Sequence, residues 1–495
     1  MRRLGLERDV VDQAVYESSV QRFREANVVM PTFAQLADPC AMPADLLRHV
    51  AEAEPDAPDA RNLFRAHWHN DRGESMPVPM PAHVVLPPEL TGVPSPIVVL
   101  LGDRFPMIHS HKLIAAYGCL APRIVTGQFD PATQRAVWPS TGNYCRGGVA
   151  ISRVMRAHGV AVLPEGMSQE RFDWLATWVT APEDIIRTPG TESNVKEIYD
   201  KCAELDRDPQ TVIFNQFSEF GNHIAHFYIT GAAIGRVFES MAEEDDELRL
   251  AVFTSATGSA GAIAAGDYLK EEYGTRIGAA EALECPTLLY NGFGEHNIQG
   301  IGDKHVPLIH NAMNTDFIVD ISDRATDNLT ALFNTEVGQA YLRDEMGVAE
   351  DIIEALPSFG YSSICNILAA IKVAKQQQLG PRDVLATVAT DGFELYASEL
   401  EPIIARDHGG DFDRASAASV SAAYLSGADT ADMLECTHAD RLRMFNLGYY
   451  TWVEQQGVTI EEFGARQSQD FWTETREIVH EWDDMIEAFN AAVRA

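Results

Sequence analysis

Lys112 and two small, hydroxyl- and glycine-rich segments downstream of it are the residues whose types and spacing could do chemistry in this chain. Lys112 stands in Ser110-His111-Lys112. Most lysines are solvated surface charges. One that works as an amine must be partly desolvated, so that its neutral form is within reach. The segment Ser140-Thr141-Gly142-Asn143-Tyr144 offers hydroxyls and backbone N–H groups at a glycine turn opening a helix, which suits a carboxylate. Thr257-Gly258-Ser259-Ala260-Gly261 precedes a second helical stretch. Small residues there let the backbone close on a phosphate, and helix N–H groups hold the dianion without a basic side chain.

These segments must be positioned by regular elements. Apolar runs at 97–101, 160–163, 250–253 and 384–388 alternate with helix-period stretches and are bounded by Gly and Pro. That texture predicts buried parallel strands in an α/β fold. Residues 1–90, rich in Pro, Ala and Asp, read as an N-terminal extension with a helical patch at 46–53 and a breaker cluster at 54–58. Residues 91–400 read as the main domain, which the family resemblance given below implies to be catalytic, with a smaller subdomain at about 140–235. Beyond Leu400 strand signals stop, and 401–495 reads as a helical extension. Its last helix is expected to start at Asp470 as N-cap. Trp472, Ile478, Val479, Trp482, Met485, Ile486 and Phe489 share one docking face. The acidic run 243–247 reads as a solvated turn.

The chain has 495 residues, 46% of them hydrophobic and 9% aromatic, enough for a buried core. A formal net charge of −35 repels phosphate backbones and anionic headgroups, which argues against nucleic acid or membrane as a partner. No run approaches the ~18 apolar residues of a membrane span, and the N-terminus lacks an apolar h-region. Seven dispersed cysteines (Cys40, Cys119, Cys145, Cys202, Cys285, Cys365 and Cys436), without Cys-x-x-Cys, read as reduced thiols of a cytoplasmic protein. Cys145 reads as a packing residue. His223 and His226 form a His-x-x-His pair, but no third ligand is near in sequence, so no metal is expected.

Taken in order, these motifs resemble the fold-type II pyridoxal-phosphate family, closest to cysteine synthase and cystathionine β-synthase, over roughly residues 95–396. The family has Ser-Val-Lys where this chain has Ser110-His111-Lys112, and Asn143 follows Lys112 at a family-like spacing. The stretch 162–171 (Val-Leu-Pro-Glu-Gly-Met-Ser-Gln-Glu-Arg) is a recognition marker expected to carry no direct chemistry. Asn215-Gln216-Phe217, His226 to Gly231, His296-Asn297-Ile298-Gln299-Gly300-Ile301-Gly302 and Ser362-Ser363 add further matches.

The resemblance implies a tryptophan synthase β-like fold, two open parallel-type sheets wrapped by helices, a pyridoxal 5′-phosphate cofactor and a homodimer. It implies Lys112 as the Schiff-base lysine that also moves the substrate α-proton. Asn143 would bond the cofactor 3′-oxygen, and Thr257, Gly258, Ser259, Ala260 and Gly261 its phosphate. Ser140, Thr141, Gly142, Tyr144 and Gln216 would line the substrate carboxylate. The family's Pro-Asp-Ser-Gly, whose Ser meets the pyridine nitrogen, is Ala389-Thr390-Asp391-Gly392 here. Aligned on the Gly, Asp391 replaces the Ser, and a carboxylate there would make the ring a stronger electron sink. One residue back, Thr390 takes the role and chemistry stays conventional, which is the preferred register. The implied activity is β-elimination or β-replacement on a small amino acid of the serine or O-acetylserine type. Alternatives are a threonine dehydratase-like or threonine synthase-like lyase, or a catalytically silent binding or regulatory relative.

Overall fold

The computed structural model describes residues 5–301 and 304–495. The first four residues, part of the N-terminal reading above, and Gly302 of the His296 motif lie outside them. Eleven strands are described: β1 (His83–Leu86), β2 (Ile97–Leu101), β3 (Arg135–Pro139), β4 (His158–Pro164), β5 (Ile185–Thr188), β6 (Thr211–Ile213), β7 (Arg249–Ala256), β8 (Arg276–Ala282), β9 (Phe317–Ile321), β10 (Asp383–Ala389) and β11 (Met433–Glu435). They form a seven-stranded sheet in the order β1-β2-β10-β7-β8-β9-β11 and a four-stranded sheet in the order β5-β4-β3-β6.

The four-stranded sheet is parallel throughout. The centre of the larger sheet, from β2 to β9, is parallel too. All five residues of β2 are buried, as expected for a strand covered by helices on both faces. The four apolar runs read from the sequence all fall within strands, in β2, β4, β7 and β10.

Both extensions contribute strands. β1 pairs antiparallel with β2, and β11 pairs antiparallel with β9, so each closes an edge of the large sheet. β11 corrects the expectation that strands end before residue 400. A three-residue edge strand carries too little alternation to be seen in sequence.

The last helix is Gln469–Arg494, capped by the Ser468 side chain, which accepts from the Asp470 N–H at 3.2 Å. Asp470 is therefore inside the first turn rather than the cap. Of the predicted face, Trp472, Ile478, Val479, Trp482, Ile486 and Phe489 are buried and Met485 is half-buried. This helix clasps the N-terminal extension. Asn490 Nδ2 donates to the Met30 carbonyl at 2.7 Å and its Oδ1 accepts from the Met30 N–H at 2.9 Å. Phe489 meets Phe23 edge-on at 5.2 Å. Tyr117, on the helix Lys112–Val125, donates to the Pro31 carbonyl, which ties the clasp to the catalytic domain.

Three of the expected site segments emerge at the carboxyl ends of parallel strands: Ser140 after β3, Thr257 after β7 and Thr390 after β10. Lys112 opens the helix that follows β2. In open parallel sheets that end is where ligands bind, because loops there meet helix N-termini pointing at the crevice.

Candidate active site

Lys112 is 9% exposed, and burial lowers its amine to about 8, with the Asp391 carboxylate opposing that shift. Ser110 Oγ accepts from the Lys112 N–H at 3.4 Å, and Ser110 itself bridges to Asp391. Behind Lys112 sits His111, a buried imidazole held well below its ordinary range by burial and then by the neighbouring Lys112. It packs on Trp68 and His226, at 5.6 and 5.0 Å between ring centroids.

The Ser140 loop is built by its own hydroxyl. Ser140 Oγ accepts from the Gly142 N–H at 3.1 Å, and Gly142 adopts a φ of 150° that only glycine takes without strain. A Cβ at Gly142 would also lie 2.6 Å from the Arg171 side chain. Asn143 opens the helix Asn143–Val154, and its amide is held from both sides. Arg146 donates to Asn143 Oδ1 at 3.1 Å, and Asn143 Nδ2 donates to Asp391 Oδ2. Tyr396 donates to the same carboxylate oxygen at 2.7 Å and accepts from Arg171 at 2.9 Å. Asp391 thus joins two buried guanidiniums through Asn143 and Tyr396. Burial raises its own pKa.

Tyr144 does not face the loop's open side. Its ring meets Trp138 edge-on at 5.4 Å and its hydroxyl lies beside the Cys119 thiol. Cys145 donates to the Gly142 carbonyl at 2.8 Å, and burial pushes its thiol up to about 12, so it is a packing group. Thr141 donates to Glu192, which also accepts from the Gly300 N–H at 2.8 Å. Burial raises Glu192 to about 7.

The Thr257 loop leaves its backbone free. Among the described residues, the N–H groups of Gly258, Ser259 and Ala260 have no backbone acceptor, which is the arrangement of an anion nest. Asn222 fastens the loop, donating to Ser259 Oγ at 3.1 Å and to the Gln216 carbonyl at 3.1 Å. It lies so close to Gly261 that a Cβ there would be 2.1 Å from Asn222 Oδ1. Ala260 takes a left-handed φ of 61° in the loop, which costs strain for a residue with a Cβ. Thr390 is 6% exposed, whereas Asp391 is 0% exposed and sealed beneath Gly360 and Tyr396.

His223 and His226 serve the scaffold. His223 accepts from Arg476 at 3.2 Å and His226 pairs with Thr230 at 2.8 Å. Among the described residues no group of three or more His, Cys, Asp or Glu side chains could hold a metal ion. No described helix is long and apolar enough to cross a membrane.

Sequence reasoning missed Arg146, Glu192 and Tyr396. It also read the 162–171 stretch as a marker only, although Arg171 links Tyr396 to Gln299 Oε1, the latter at 2.7 Å. An arginine in an otherwise apolar helix face, as at Arg146 between Cys145 and Gly147, is the one signal that could have found a member of this set.

No family model matches the chain. It is 28% identical over 296 residues to cysteine synthase B of Campylobacter jejuni, covering 59% of this chain and 86% of that one. It is 27% identical over 290 residues to a probable cysteine synthase of Bacillus subtilis, covering 57% and 83%. An O-acetylserine dependent cystathionine β-synthase from Helicobacter pylori superposes with a TM-score of 0.52 at 21% identity, covering 64% of this chain and 94% of that one. A cysteine synthase from Entamoeba histolytica superposes with a TM-score of 0.53 at 21% identity, covering 69% and 92%. The fold is that of the fold-type II pyridoxal-phosphate-dependent enzymes. Within it, the chain is related in sequence to cysteine synthases.

Proposed function

We propose that this protein is a pyridoxal-phosphate-dependent enzyme catalysing β-replacement on serine or O-acetylserine. The observation that carries the reading is Lys112. It is a buried amine beside Asp391, the carboxylate that also accepts from Asn143 of the Ser140 loop. The residues fit the cofactor: Gly258, Ser259 and Ala260 would hold its phosphate, with Thr257 and Gly261 framing the loop, and Asn143 would meet its ring oxygen. Thr390, 6% exposed beside the fully buried Asp391, would meet the ring nitrogen. When bound, the cofactor supplies an electron sink for charge developing at the substrate α-carbon.

This chain's own residues do the rest. Ser140, Gly142 and the N-terminus of the helix Asn143–Val154 receive the substrate carboxylate, because hydroxyls and N–H groups converge there. Gln216 stands with the phosphate loop through Asn222. Lys112, neutral in an appreciable fraction near pH 8, accepts the α-proton. Asp391 holds Asn143 and Tyr396 in place.

Homodimeric assembly and a cytoplasmic location belong to the same reading. The first is supported by likeness to the family, the second by seven cysteines with no disulfide among the described residues. The deciding measurement is the visible absorption spectrum of cofactor-supplied protein. The wild type should show a band that shifts on adding O-acetylserine, and Lys112→Ala should lack it. A colourless wild-type protein would refute the enzyme assignment.

A further inference from the structure

A cavity of about 260 Å³ opens beside the Ser140 loop, lined by Gly166, Met167 and Thr191, by Glu192, Glu295, His296, Asn297 and Gln299, and by Asp323. Two of its side chains are buried and incompletely bonded. Glu192 is 1% exposed; its Oε1 is engaged by Thr141 and Gly300, but among the described residues Oε2 has no partner. His296 is 6% exposed; its Nδ1 accepts from the Ile298 N–H at 3.1 Å. The other nitrogen, Nε2, therefore carries the proton, and it too lacks a partner among the described residues. A buried acceptor and a buried donor without partners, on two residues that line one cavity, are costly unless something satisfies them.

The charge of the cavity narrows what that is. Glu192, Glu295 and Asp323 line it and no lysine or arginine does. Lys304 reaches Glu295 from outside the lining, at 3.4 Å. Such a wall disfavours the hydrosulfide anion and carboxylate-bearing thiols, and it favours a ligand with a positive charge. Thr141 connects the cavity to the expected substrate loop through Glu192, and Gln299 connects it through Arg171 and Tyr396 to Asp391.

We propose that this cavity is the docking site for the second substrate of the β-replacement, and that this substrate is a small thiol carrying an ammonium group. Glu192 Oε2 accepts from the thiol S–H, His296 Nε2 donates to the sulfur, and Glu295 and Asp323 face the ammonium. The inference rests on the proposed β-replacement.

Its test compares cysteamine with 3-mercaptopropionate, thiols of equal length and opposite charge, on the full wild-type protein supplied with cofactor. Binding is read by saturation-transfer NMR titration and by competition between the two thiols. Consumption of O-acetylserine is followed separately by absorbance. Cysteamine should bind at least tenfold tighter than 3-mercaptopropionate. Glu295→Gln, a substitution at the cavity rim, should reduce that preference severalfold, and Glu192→Gln should weaken both thiols. Equal binding, or tighter binding of 3-mercaptopropionate, overturns the proposal, and the wild-type comparison needs no variant to fold. If O-acetylserine elicits no absorbance change, the β-replacement reading fails, and with it the role of nucleophile. If that change occurs without a thiol preference, only the cavity assignment fails.

Discussion

Asp391, at the end of β10, and Asn143, at the start of the helix after β3, are 248 residues apart in sequence and joined by a hydrogen bond between their side chains. The same carboxylate receives Tyr396, so one buried group sets the position of an amide and a phenol from two different elements. Asp391→Ala leaves the buried Asn143 amide without that acceptor and Tyr396 with only the Gln299 carbonyl at 3.4 Å, at a cost of ~1–3 kcal/mol for an unsatisfied group. Urea denaturation of the variant should show a loss in this range. Asp391→Asn, which keeps the shape, should lose less.

Lys112 titrates at about 8 because burial disfavours its charged form. Covalent attachment of the cofactor should therefore speed up with pH and reach half its maximum near pH 8, as read by stopped-flow absorbance on cofactor-free protein. Asp391 opposes the downward shift, so in Asp391→Asn the midpoint should move to lower pH. Because the native state binds fewer protons than the unfolded chain between about 8 and 10.5, the contribution of Lys112 to stability rises with pH across that window. Lys112→Ala should lower the rate of substrate turnover by roughly 10²–10⁴-fold, the range for loss of a proton-transfer group, at the least.

Glu192 gives the opposite slope. Its carboxyl is raised by burial from an ordinary 4.5 to about 7, so the native state keeps a proton that the unfolded chain has lost. Stability attributable to Glu192 falls as pH rises through that window. Glu192→Gln should be free of this dependence. The difference in melting temperature between variant and wild type should move in the variant's favour from pH 5 to pH 8.

His109 pins the N-terminal extension to the catalytic domain. Hydrogen bonds donated to Asp56 and then to Glu394 raise its imidazole from 6.5 to about 10. A raised histidine contributes stability in full below 6.5 and loses it as pH climbs through about 10. His109→Gln should lower the melting temperature most near pH 6, with the difference from wild type shrinking towards pH 10.

Arg476 of the last helix is 3% exposed at its side chain and bridges Asp267, which also accepts from Asn311 at 3.0 Å and Asn314 at 2.6 Å. Removing one member of a buried ion pair strands the other, a loss of ~3–5 kcal/mol. Arg476→Met should show it in denaturant unfolding. Asp267→Asn combined with Arg476→Met should recover part of the loss, since neither charge is then left alone.

The sequence alone determined four of the strand runs and the order of the motifs. Those features are local: a continuous apolar run, a glycine turn and a small-residue loop before a helix each depend on a few consecutive residues. It determined the apolar face of the last helix as well, missing only that Ser468, one residue before the helix begins, supplies the cap. Tertiary structure decided what no local pattern holds. It turned Tyr144 into the core against Trp138, brought Glu192 under Thr141, and gave the extensions edge strands in the large sheet. It also buried Asp391 completely and left Thr390 6% exposed, a difference between adjacent residues that composition and spacing do not carry. The physical reason is that burial and partnership are set by chain segments far apart in sequence. A carboxylate's neighbours 248 residues away are fixed only when the sheets pack.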